Sequence, residues 1–135
     1  MARGRYNIAV GLLIMAGFMV LGFVLIYLRD FAPGKEAWIA SYDTGAHFET
    51  RLAHVHGTLF ATLNIVIGLF LARSTASESA RKWVAILMLV GLMMPAGILA
   101  EVTLGASPIF VLVGALSITV GTTWAGVLAL RGGVA

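Results

Sequence analysis

Charged residues divide this chain into four long uncharged runs: Tyr6–Leu28, Leu52–Ala72, Trp83–Ala100 and Val102–Leu130. A helix needs about 20 apolar residues to cross a hydrocarbon core of about 30 Å. The last run is too long for one crossing, and its start, "VTLGASP", reads as a turn. The first run is far longer than the roughly 7–15 residues of a signal-peptide core, and no small-x-small cleavage site follows it. The pattern therefore predicts an all-α integral membrane protein. Its four spanning helices fall at about 7–28, 46–73, 81–101 and 109–130, within a single domain covering 1–135.

Composition agrees with a lipid environment. Of the 135 residues, 60% are hydrophobic and 11% charged, against roughly 25% charged in soluble domains. The net charge of +3 comes from Lys and Arg gathered at the ends of the runs, as topogenic signals rather than as a nucleic-acid surface. Arg3, Arg5, Arg73, Arg81, Lys82 and Arg131 fall on one side, and Arg29, Lys35 and Arg51 on the other. The bias predicts both termini cytoplasmic and the 29–50 loop outside, and the short connections favour an up-down-up-down four-helix bundle; a bacterial-type inner membrane is the expected location. The absence of cysteine excludes disulfides, thiolate catalysis and Cys-ligated metal sites.

Helices in lipid approach each other through small residues. The first segment offers Gly11, Gly17 and Gly22, and the fourth a stripe of Gly114, Ser117, Gly121 and Ala125. Pro95 is expected to kink the third segment, where Met93 and Met94 read as packing or lipid-facing residues. Within the outer loop, Pro33-Gly34 marks a turn, and Trp38 and Tyr42 suit the interfacial belt. Asp43 or Thr44 is placed to cap a helix that starts outside the membrane and continues inward.

The stretch "ETRLAHVHGTLFATLNIVIGLFLAR" carries the candidate chemistry. At 100° per residue, His54, Gly57, Ala61, Asn64, Gly68 and Ala72 share one face, while Leu59, Leu63, Ile67 and Phe70 lie opposite. A face of small residues either packs against protein or leaves room for something flat and bulky. His54 points into that space, and neutral imidazole is a ligand for transition metals and haem iron. His56 falls on the large-residue side and reads as an interfacial residue. Asn64, near the midplane, is expected either to hydrogen-bond Ser117 or Thr119 or to contact a substrate. Glu101 is placed to pair with Arg51, to orient His54, or to be solvated. His47, Asp43 and Glu49 offer a further, surface grouping for a divalent metal, although the spacing matches no ligand signature.

The order of these features resembles the styrene oxide isomerase family of small bacterial four-helix membrane proteins. The likeness covers nearly the whole chain as a layout. A long outer loop follows the first helix, "RLAH" opens the second, "SESARKW" leads to the third, and "SPIF" begins the fourth. The resemblance implies haem b held by His54 as axial ligand, a trimer with haem at subunit boundaries, and ferric iron acting as a Lewis acid on an epoxide oxygen. Two positions depart from it. The family asparagine, six residues after the histidine, is here Phe60, and the third helix has no tyrosine.

Two functions follow as expectations. One is a haem b membrane protein with His54 on the iron and Gly57 and Ala61 flanking the macrocycle. It would be catalytic towards small apolar epoxides, with Asn64 as the residue that contacts substrate. The other is a non-enzymatic membrane subunit without cofactor, assembled through its glycine stripes. Membrane lipid is a partner in both.

Overall fold

The computed structural model describes residues 2–131, so the extreme ends of the expected domain lie outside it. Six helices follow in order: α1 (Ala2–Asp30), α2 (Lys35–Ala40), α3 (Gly45–Arg73), α4 (Glu78–Gly91), α5 (Met93–Leu104) and α6 (Ile109–Leu130). Because α4 and α5 form one broken span, four helical segments are long and apolar enough to cross a membrane. The chain is a multi-pass membrane protein.

The helix ends follow from local chemistry. α1 stops where Phe31 and Ala32 both bond to the Tyr27 carbonyl, just before Pro33, and Gly34 turns the chain with φ 80°. The connection between α1 and α3, expected to hold a turn and interfacial aromatics, also forms the short helix α2. Thr44 precedes α3 as its cap residue but makes no side-chain capping bond. Ser77 does cap α4, its hydroxyl accepting from the Ala80 N–H at 3.3 Å. The α4–α5 break falls at Leu92, three residues before Pro95. Pro95 has no N–H for the Gly91 carbonyl, and its ring crowds that same carbonyl.

α1 packs antiparallel on α3 from Gly4 to Gly22: Gly4 faces Gly68, Gly11 faces Ala61 and Asn64, and Gly22 faces His54. α6 packs antiparallel on the broken span, with Gly121 against Met88, Gly114 against Met94, and Val111 against Gly97. The fourth-segment stripe thus packs within the chain. Its middle position is filled by buried Ile118, which meets Gly91, rather than by Ser117.

Two apolar clusters hold the helices together. Phe60, Leu71, Val84, Met88 and Ile118 join α3, α4 and α6. Phe18, Ala53 and Ile98 join α1, α3 and α5 nearer the loop that holds α2. Large apolar side chains such as Leu13, Phe23 and Leu116 point outward. In lipid that exposure is solvation, so association rests on close backbone approach and internal hydrogen bonds.

Candidate functional site

A cavity of about 570 Å³ opens where the ends of α1 and α3 diverge beneath α2. Leu25, Ile26, Ile39 and Val55 form its apolar walls. Arg29, Asp30, Tyr42, His47, Arg51 and His54 supply its polar groups.

His54 reaches the cavity through a fixed tautomer. Its Nδ1 lies 2.9 Å from the carbonyl oxygen of Phe18 on α1. A carbonyl can only accept, so Nδ1 carries a proton, and in the neutral ring Nε2 keeps its lone pair. Among the described residues Nε2 has no hydrogen-bond partner, and it is not sealed from the cavity. Gly22 makes the arrangement possible, because a Cβ there would fall 2.9 Å from His54 Cε1. His56, in contrast, turns its Nδ1 back to the Leu52 carbonyl of its own helix and stands edge-on to Phe60.

Gly57 and Ala61 do not line this cavity. The phenyl ring of Phe18 lies directly on Gly57, and Ala61, fully buried, meets α1 at Gly11. The small-residue face of α3 is therefore filled by α1, and the expected macrocycle bed on Gly57 and Ala61 is corrected to a helix–helix contact. The face reading allowed both outcomes; a neighbouring helix takes the space because close approach recovers dispersion contacts from His54 to Gly68 of α3.

Asn64 is also relocated. It is fully buried, donates from Nδ2 to the carbonyls of Phe60 (3.0 Å) and Met88 (2.9 Å), and accepts from Asn7 Nδ2 at 3.0 Å. Asn7 also donates to the Ala85 carbonyl at 3.0 Å, so the two amides tie α1, α3 and α4 together. Neither Ser117 nor Thr119 takes part, and Thr119 instead bonds the Ala115 carbonyl of its own helix. With donors and acceptor engaged, Asn64 has nothing to offer a substrate and is a structural clamp. Asn7 Oδ1 is left buried without a donor.

The surface metal grouping is corrected as well. His47 is buried, stacked on Trp38 at 4.0 Å between ring centres, with Nδ1 on the Trp38 carbonyl and Tyr42 edge-on to its ring. Asp43 is exposed and Glu49 half-buried, and neither joins His47 in a metal-holding group. Among the described residues, no three His, Asp or Glu side chains come together as a metal site. Glu101 is exposed and pairs with neither Arg51 nor His54. Arg51 instead stacks on Tyr42, its Cζ 3.4 Å from the ring centre, and donates to the Tyr42 carbonyl and hydroxyl.

Three participants were not singled out from the sequence. Asn7 was visible as the only amide in the first uncharged run. The Tyr42–Arg51 stack had a weaker signal, two residues nine apart across a helix start. The Phe18 carbonyl had none, since a backbone acceptor leaves no mark on residue type. No family model, curated protein or solved structure matches this chain.

Proposed function

We propose that the protein is a haem b-binding membrane protein in which His54 is the axial ligand. The observation that carries this reading is the His54 ring itself, with Nδ1 donated to the Phe18 carbonyl and Nε2 left as a free lone pair on the cavity. Ligating histidines characteristically give their other ring N–H to such an acceptor, which fixes orientation and raises basicity. A lone imidazole cannot cage a bare metal ion, but haem brings four nitrogens of its own and needs only an axial ligand. The cavity volume of about 570 Å³ lies within the roughly 300–1,000 Å³ of cofactor sites.

When bound, ferric haem supplies a Lewis acid, and small apolar epoxides entering from the bilayer are the substrate class we assign to it. The chain's own contribution is confined to holding and sheltering. Phe18 orients His54, and Leu25, Ile26, Ile39 and Val55 exclude water. Phe60 lies in the core and Asn64 in the clamp, so neither polar partner known in the resembled family has a counterpart here. We assign the same protein an up-down-up-down topology in a bacterial-type inner membrane, with cytoplasmic termini set by the Lys and Arg bias. A homo-oligomer, trimeric by the resemblance, completes the proposal. Gly17, with open space above it on the outward side of α1, is a point where a second copy would approach closely.

A second reading rests on the same hydrogen bond. The His54–Phe18 contact also suffices as a helix–helix tie in a subunit without cofactor. The optical spectrum of protein purified after expression with ample haem separates the two. A Soret band that His54→Ala abolishes and His56→Ala retains is the expected result; a colourless wild-type protein rejects the haem reading.

A further inference from the structure

The cavity contains two guanidinium groups in very different states. Arg29 is spent on Asp30, with Nε to Oδ1 at 2.9 Å and Nη2 to Oδ2 at 2.7 Å, so the pair is neutral. Arg51 forms no ion pair among the described residues. It is nonetheless held firmly, stacked at 3.4 Å on the Tyr42 ring and bonded to the Tyr42 carbonyl and hydroxyl. Arg51 is only half exposed, and it borders the cavity beside His54 on the same helix. Two of its five N–H donors are used, which leaves three and the full positive charge.

A cation at a membrane boundary that is orientated but not neutralised is arranged for an anion. Guanidinium matches carboxylate because two parallel N–H groups meet two oxygens. Arg51 lies three residues before His54, about 4.5 Å nearer the outer end along the helix axis. A ligand bound at His54 Nε2 therefore presents its outer edge to Arg51. Haem b carries two carboxylates on one edge, and ionised groups are costly deeper in the hydrocarbon.

We propose, building on the haem reading, that Arg51, pre-set by Tyr42, is a carboxylate subsite that turns the acidic edge of the cofactor outward. His47, buried, stacked on Trp38 and bonded through Nδ1 to the Trp38 carbonyl, is already engaged within the outer loop.

The test titrates the full-length apoprotein in detergent with iron protoporphyrin IX and, separately, with its dimethyl ester, following the Soret shift. The wild type is expected to bind the free acid roughly ten- to a hundredfold more tightly than the ester, the range of a charge-assisted hydrogen bond. Arg51→Gln is expected to abolish that preference while leaving the ester affinity unchanged. Equal binding of acid and ester by the wild type, or a preference that survives Arg51→Gln, overturns the subsite but leaves His54 as ligand. Binding of neither porphyrin overturns the haem reading and this inference with it.

Discussion

The Nδ1 atom of His54 lies 2.9 Å from the carbonyl oxygen of Phe18, thirty-six residues earlier on the neighbouring helix. That single bond orients the imidazole, places a proton on Nδ1, and ties the middle of α1 to α3. Gly22 provides the clearance for it.

Filling that clearance should displace the ring without touching the cavity walls. Gly22→Val is expected to weaken haem binding roughly ten- to a hundredfold, as for other losses of support behind a ligand. Gly17→Val, where nothing lies within 4 Å, should leave affinity unchanged. Parallel porphyrin titrations of the two variants check the difference.

The filled groove makes a contrasting prediction. Gly57→Leu drives a side chain into the ring of Phe18, and overpacking of this kind costs about 1–3 kcal/mol. Detergent unfolding should show that loss equally with and without haem, because Gly57 belongs to the helix contact. A variant of full stability that loses only the cofactor would return Gly57 to the site.

The amide clamp is testable by a double-mutant cycle. Asn64→Leu leaves Asn7 and two carbonyls short of a partner and is expected to cost about 1–3 kcal/mol of unfolding free energy. Asn7→Leu should cost a similar amount. The coupling between them should lie near the membrane-protein average of about 0.6 kcal/mol. Haem affinity should be preserved in either single variant, since the clamp lies far along α3 from His54.

Much of the fold was legible because lipid imposes a length and a charge rule on any chain that crosses it. The fourth span covers the expected 109–130, the third extends three residues beyond 81–101 at each end, and the break at Leu92 follows from Pro95. α1 extends beyond the expected 7–28 at both ends, since no proline or cap stops it before Asp30. For the site, helical phase selected His54 over His56, and the structure indeed puts His54 on the cavity and turns His56 back on its own helix. The same phase grouped Gly57, Ala61 and Asn64 correctly on one face, but a face does not state its occupant. Choosing between a helix and a macrocycle required knowing that α1 brings Gly4, Gly11 and Phe18 into register with it. Asn64 was likewise located in depth but not in partner, because its donor, Asn7, is 57 residues away.

That separation governs how the molecule is made. Asn7 is synthesised and threaded into the bilayer long before Asn64, 57 residues later, and the Ala85 carbonyl, 78 residues later, exist to receive it. During that interval the nascent first span carries a bare amide among acyl chains, and every turn of later elongation lengthens its wait. The clamp can therefore close only once the third span has been made, and a chain ending before Ala85 would leave the Asn7 amide without one of its two acceptors.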